Sequence, residues 1–179
     1  MAPTTLSFDA RPFLYRHQVT RIPPIDDDQV DQFWRRFLAC GVVHSSTSKP
    51  RSVEPFGDNA ELADELIHLI IHGSKRATAS ALTEYDSEDE VPPPAGTISI
   101  ATDGAGRARA VLRTVHARIG PLSSVDDSFA WDEGEGERTR KSWLRDHEEF
   151  FRRQLLDGGA TFDPEMPTVF ERFEVLYTE

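Results

Sequence analysis

Apolar positions along the first third of the chain recur at helical spacing. Val30, Phe33, Trp34, Phe37 and Leu38 are separated by threes and fours, and Asp26-Asp27-Asp28 precede them. Acidic residues complement the dipole at a helix N-terminus, so the pattern predicts a helix over 27–40 ended by Gly41. A second stripe, Leu62, Leu66, Leu69 and Ile70, predicts another helix capped by Asp58 or Asn59 and stopped by Gly73. Between them, residues 44–54 are rich in Ser, Thr and Pro and read as a loop.

The period then changes. Thr78 to Leu82 reads as a short strand or turn, followed by an acidic loop from Glu84 to Glu90 and the run Pro92-Pro93-Pro94. Thr97 to Ala101 alternates, Asp103-Gly104-Ala105-Gly106 turns, and Ala108 to Ala117 continues as a strand, which together predict a β-hairpin. A helix start follows near Val125-Asp126. A long helix is expected from Arg138 to Leu156, ended by Gly158-Gly159, and Thr168 to Tyr177 alternates as a final strand. Helices mixed irregularly with hairpin-linked strands argue for an α+β fold with a small, mostly antiparallel sheet. Trp143, Phe150, Phe151, Phe170 and Phe173 are assigned to the core. Residues 1–25, with four prolines and little periodicity, read as an N-terminal arm to one domain spanning 26–179.

Charge narrows the partners. The formal net charge is −11, and the whole excess lies after residue 58. An acidic body repels polyphosphate, which excludes non-specific gripping of duplex DNA. The single cysteine, Cys40, forms no internal disulfide and no zinc spacing. The start has no basic, apolar leader pattern, and the longest apolar run is six residues, so a cytoplasmic protein without membrane contact is expected.

Several motif matches fail on context. His68 and His72 stand four apart, but Leu69-Ile70-Ile71 between them lacks the glutamate of a zinc-protease helix, and two surface histidines are expected. Ser46-Thr47-Ser48-Lys49 matches Ser-x-x-Lys without its partner motifs. Two segments carry more chemistry. In Gly73-Ser74-Lys75-Arg76-Ala77-Thr78-Ala79-Ser80 a helix ends and two cations and two hydroxyls follow. Lys75 and Thr78 can face one cleft with Arg76 beside them as an anion contact, or the cations can simply complement the helix C-terminus. In Phe129-Ala130-Trp131-Asp132-Glu133-Gly134-Glu135-Gly136-Glu137-Arg138 the acids can serve as a general base or hold Mg²⁺, or form a solvated helix cap. No metal ligands are assigned, and a divalent ion such as Mg²⁺ is the one cofactor considered. The helix that follows adds Arg138, Arg140, Lys141, Arg145 and His147, a local basic patch.

Taken together, these segments resemble the ASCH-domain family. The matching residues are Phe56-Gly57-Asp58, Ala63-Asp64-Glu65-Leu66, the Gly73–Ser80 segment, Glu133-Gly134-Glu135-Gly136, Trp143-Leu144-Arg145-Asp146-His147, Phe150-Phe151 and Glu171-Arg172-Phe173. The resemblance implies a PUA-like fold, a small β-barrel of mostly antiparallel strands flanked by helices, and a link to RNA or its nucleosides. A shorter branch of the family looks like amidohydrolases of N4-acetylcytidine. Its functional Lys and Thr correspond to Lys75 and Thr78, and its Glu to Glu133; where that branch often has Arg, this chain has Ser80.

Three readings stand at this point. The first is a hydrolase of short or single-stranded RNA, with Lys75 on the phosphate and Glu133 as base. In it Arg76, Arg138 and Arg145 track the strand, and Phe56 or Trp131 stacks on a base. The second is an amidohydrolase of a modified nucleoside through Lys75, Thr78 and Glu133, with Ser80 and Glu135 nearby. The third is a binding module without chemistry.

Overall fold

The computed structural model describes residues 20–43, 49–85, 91–158 and 161–179. Most of the N-terminal arm, residues 46–48 of the Ser-x-x-Lys match, the acidic loop over 86–90, and Gly159 lie outside the described residues. Residues 20–25 lie on the body, where the Ala60 amide donates to the Thr20 carbonyl at 2.9 Å.

Helix α1 (Asp27–Ala39) starts where the acidic run predicts, with Asp26 Oδ1 accepting the Gln29 amide at 3.0 Å. Val30, Phe33, Trp34 and Phe37 turn inward onto Ile100, Ala108 and Val111, with the Tyr177 ring 5.3 Å from Phe33. Strand β1 (Val53–Pro55) falls inside the segment expected to be a loop. Three residues ending in proline carry no readable period, and proline is tolerated at a sheet edge because no inward amide is needed there. Asn59 caps α2 (Ala60–His72), its Oδ1 accepting the Leu62 amide at 2.9 Å. Ala63, Leu66, Ile67 and Ile70 form its buried face.

Strands β2 (Ala77–Ala81), β3 (Ile98–Thr102), β4 (Ala108–Pro121) and β5 (Pro167–Thr178) complete one mixed sheet, with order β1-β3-β4-β5-β2. Only β1 and β3 run parallel. The long β4–β5 ladder shifts register at Val111/Leu112 and again between Thr114 and His116. Such irregularities bend and twist a ladder, and here the sheet curves into a half-barrel flanked, among the described residues, by four helices.

The helix start expected near Val125-Asp126 and the long helix expected from Arg138 are both present, as two separate helices. Asp126 caps α3 (Asp127–Glu133), accepting the Phe129 amide at 2.7 Å, and α4 (Arg140–Gly158) begins separately. Arg138 sits at φ +57°, a left-handed conformation that no helix continues through. Thr139 and Ser142 then cap α4 reciprocally, Ser142 N donating to Thr139 Oγ1 at 3.1 Å. Phe129, Trp143, Phe151 and Phe170 pack together between α3, α4 and the β2–β5 edge. Full burial of each such ring stabilises by about 1.5–3 kcal/mol, which locks both helices onto the sheet. Phe150 packs against this core only partly buried and also forms cavity wall. No helix among the described residues is long and apolar enough to cross a membrane.

Candidate functional site

The two segments singled out in the sequence meet at one place. At the end of α2 the chain turns at Gly73 and enters β2, and the next side chains go opposite ways. Arg76 points back, its Nη1 donating to the carbonyls of Ile70 at 3.1 Å and Lys75 at 2.6 Å. It complements the helix end, as basic residues do there. Lys75 points in and is 1% exposed.

Opposite lies the Glu-Gly-Glu-Gly turn. Its glycines are required: Gly134 has φ +73°, and a Cβ there would meet Lys75 N and Ser74 C, both at 2.8 Å. Only glycine permits both the left-handed backbone and this approach. The backbones are tied by the Arg76 amide donating to the Asp132 carbonyl at 2.7 Å. As a result Glu133 is 1% exposed, Glu135 Oε1 pairs directly with Lys75 Nζ, and Glu137 points to solvent. The solvated acidic cap expected as one reading is therefore half wrong: the turn buries its first glutamate and leaves the third outside.

Glu133 is held from α4. Trp143 Nε1 donates to Glu133 Oε2 at 2.5 Å, and His147 Nε2 stands 3.3 Å from the same oxygen. The Trp143 and His147 rings, one helical turn apart, stack at 3.7 Å with 13° between planes. Burial alone pushes the Glu133 carboxyl up, but the His147 and Lys75 charges and the two hydrogen bonds overcome this and hold it below the usual value. For His147, burial pushes down, and the Glu133 charge and hydrogen bond, with Glu135, bring the ring above its usual value against opposition from Lys75.

A cavity of about 240 Å³ opens over this cluster, lined by Lys75, Thr78, Glu133, Glu135 and His147 among others, with Phe56 and Phe150 as aromatic walls. Phe56 is propped by Phe173 edge-on at 5.8 Å. A second cavity of about 310 Å³ adjoins it across Phe56, Gly57, Thr78, Ala79 and Phe150, and contains Ser80, whose Oγ lies 3.2 Å from the Tyr85 hydroxyl. Its polar wall includes Arg51, Glu54, Glu84 and Glu171. Burial pushes Glu84 and Glu171 up; a backbone amide at Ala81 and the Thr114 hydroxyl, respectively, oppose this, and the nearby Glu54 charge adds to it.

The remaining expected residues lie elsewhere. Trp131 is exposed and covered on one side by the Arg138 guanidinium at 3.8 Å, which also donates to the Trp131 carbonyl. Arg145 pairs with Asp146 at 2.8 Å on the exposed side of α4. Neither these nor Arg76 lines either cavity. Conversely, sequence reasoning did not place His147 in the site. The signal was its i,i+4 spacing from Trp143, which puts both rings on one helix face. No group of three or more His, Cys, Asp or Glu side chains that could hold a metal ion occurs among the described residues, and His68 and His72 are exposed neighbours 4.8 Å apart.

The family model that matches describes the ASCH domain, over residues 52–177. Among solved structures, a protein from Enterococcus faecalis V583 superimposes with a TM-score of 0.74 at 34% identity, covering 84% of this chain and 89% of that one. A structure described as an ASCH domain, from Lactobacillus crispatus JV V101, superimposes with a TM-score of 0.74 at 26% identity, over 86% and 96% of the two chains. No curated protein matches.

Proposed function

The chain belongs to the ASCH-domain family, and from that premise we propose that its cleft hydrolyses an amide on a small, uncharged nucleoside of the N4-acylcytidine type. The observation that carries this reading is the charge of the lining. Seven carboxyl groups line the two cavities (Glu54, Glu84, Glu133, Glu135, Asp146, Glu149 and Glu171), against the basic side chains of Arg51, Lys75 and Arg153 and the imidazole of His147. A phosphodiester entering here meets repulsion that the basic groups do not offset.

The basic patch on α4 offers no track either. Arg145 pairs with Asp146, Arg152 with Glu148 at 2.7 Å, and Arg153 with Asp58 at 3.4 Å. Carboxylates and hydroxyls instead suit a ligand rich in hydrogen-bond donors, such as a ribose and an amino-bearing base. The cavities together match the size range of small-molecule sites, about 300–1,000 Å³.

The chemistry follows from the cluster. With Nζ held against Glu135, Lys75 is placed as an ammonium donor, and it stabilises the oxygen anion that develops as water adds to the acyl carbon. Glu133 takes the proton from that water. When the carbon–nitrogen bond breaks, the same proton passes to the leaving amine, yielding a carboxylic acid and the deacylated nucleoside. The Thr78 hydroxyl, between the two cavities, orients the acyl group.

The test incubates purified protein, Lys75→Ala and Glu133→Gln with N4-acetylcytidine and, separately, with short single-stranded RNA, resolving products by mass. Cytidine from wild type alone, with intact RNA, is expected. RNA fragments would transfer the site to phosphodiester cleavage, and an absence of product from both would leave a binding module.

A further inference from the structure

His147 is in an unusual position because both of its ring nitrogens face oxygen acceptors. Nδ1 lies 3.1 Å from the Trp143 carbonyl, and Nε2 lies 3.3 Å from Glu133 Oε2. The carbonyl has no proton to give. Glu133 Oε2 already accepts the indole N–H of Trp143. Neutral imidazole carries one donor nitrogen and one acceptor nitrogen, so either tautomer would set a lone pair against an oxygen. Only the doubly protonated ring satisfies both contacts.

We propose that His147 is a positioning residue held as an imidazolium at neutral pH, that it fixes Glu133 as an aimed carboxylate beside Lys75, and that loss of its second proton sets the alkaline limit of the site. The surroundings support this state. Glu133 faces the ring from the end of α3, Glu135 from the turn after it, and Lys75 from the segment before β2, while Asp146, Glu149 and Arg153 of its own helix line the same cavity. Lys75 and His147 balance Glu133 and Glu135, so the buried cluster is close to neutral as built. The ring is 13% exposed, enough to exchange its proton through the cavity without leaving its stack on Trp143.

Once deprotonated, the ring keeps a single proton. Placed on Nδ1, it leaves a lone pair against the Glu133 carboxylate; placed on Nε2, it leaves one against the Trp143 carbonyl. Either arrangement repels, and Glu133 loses one of the two donors that aim it. The consequence for turnover rests on the amide-hydrolysis reading above, whereas the charge state does not.

The experiment records ring nitrogen–proton correlations of histidine-labelled full-length protein from pH 5.5 to 10. His147→Gln identifies the signals of that ring among the six histidines. Wild type is expected to show both His147 nitrogens protonated at pH 7.5, with a midpoint above the ordinary 6.5 of an imidazole. In Glu133→Gln the midpoint should fall back by at least one unit. A His147 ring with one protonated nitrogen at pH 7 overturns the assignment whatever the substrate proves to be.

A second arm follows turnover of N4-acetylcytidine against pH. Wild-type activity should fall along an alkaline limb at the His147 midpoint. His147→Gln, which keeps an amide donor toward Glu133 but cannot titrate there, should retain a fraction of the activity without that limb. His147→Phe should lose at least tenfold. A wild-type rate that stays flat through the His147 midpoint refutes the positioning role. Should wild type not turn the compound over at all, the amide-hydrolysis reading fails and the ring spectra still decide the charge state.

Discussion

Glu133→Gln preserves side-chain volume and removes one charge from a place that solvent does not screen, since Glu133 is 1% exposed. In the wild type this carboxylate accepts the Trp143 indole at 2.5 Å and faces His147 at 3.3 Å, with Lys75 as a further opposing charge. The substitution removes the anionic partner from both hydrogen bonds and leaves the buried ammonium with Glu135 alone. Removing one partner of a buried pair destabilises by about 3–5 kcal/mol, a figure that already contains the hydrogen-bond losses. That is a large share of the roughly 5–15 kcal/mol that holds a typical domain folded.

The pH dependence of this penalty carries the sharper test. The Glu133 carboxyl lies below its ordinary 4.5 in the folded state, so its stabilisation is present above that value and is lost as pH falls through the folded one. The His147 ring lies above its ordinary 6.5, so its stabilisation is complete below 6.5 and is lost as pH rises through its folded value. Both contributions are whole between about pH 4.5 and 6.5. The penalty of Glu133→Gln is therefore greatest there and shrinks on the alkaline side, where only Lys75 still opposes Glu133. Urea denaturation followed by circular dichroism at pH 5.5, 7.5 and 9.5 measures it. An equal penalty at pH 5.5 and 9.5 would refute the coupling to His147, and a penalty under about 1 kcal/mol at pH 5.5 would refute the buried ion pair itself.

Three further substitutions separate the parts of the site. Gly134→Ala sets a Cβ against the backbone of Ser74 and Lys75 at φ +73° and should destabilise by roughly 2–4 kcal/mol in a denaturant titration; stability equal to wild type would mean the two segments do not meet. Arg76→Ala removes donors to two carbonyls and should destabilise by about 1–2 kcal/mol with turnover within a few-fold of wild type, and a turnover loss as deep as that of Lys75→Ala would return Arg76 to the site. Trp131→Ala removes an exposed ring and the face on which the Arg138 guanidinium stacks, so stability should change by no more than about 1 kcal/mol and turnover of a nucleoside should not change. A rise in KM for Trp131→Ala would show that the ring reaches the ligand.

What the sequence disclosed follows from how local each signal is. Helices α1 and α2 were legible because Asp26 and Asn59 cap them and one apolar stripe runs along each. The β3–β4 hairpin was legible because alternation continues on both sides of a glycine turn. Strand β1 was not, because a three-residue edge strand is defined by its partner at Ile100 to Thr102 and by nothing in its own pattern. Residues 129–140 misled for a similar reason. Four acids in six residues resemble a solvated surface, whereas left-handed residues at Gly134, Gly136 and Arg138, acting in series between α3 and α4, fold the turn back on itself. Those same residues turn Glu133 inward. Adjacent Lys75 and Arg76 are equivalent in composition, yet the turn from α2 into β2 sends one to the cavity and the other back to the helix end.

The cluster is poorly explained as a device for stability. A buried ion pair is often no better than well-packed apolar residues of the same volume, because desolvation of each charge offsets the attraction between them. Here Lys75 and Glu133 are both 1% exposed within a protein that has ample apolar material around them. The glycines that let them meet add backbone freedom to the unfolded chain, which is a further thermodynamic burden. Phe129, Phe151 and Phe170 already fasten α3 and α4 to the sheet, so the charges are not needed to hold those helices. Charges that add no stability over apolar residues and face a cavity point to use in binding or reaction. On the amide-hydrolysis reading, the acidic wall continuing through Glu54, Glu84 and Glu171 selects the ligand. An ammonium at the floor attracts an acyl oxygen that gains charge only during reaction, while the rim repels a group that arrives already charged. On that reading, selection for a neutral amide over a phosphodiester rests on the same charge distribution as the proposed chemistry.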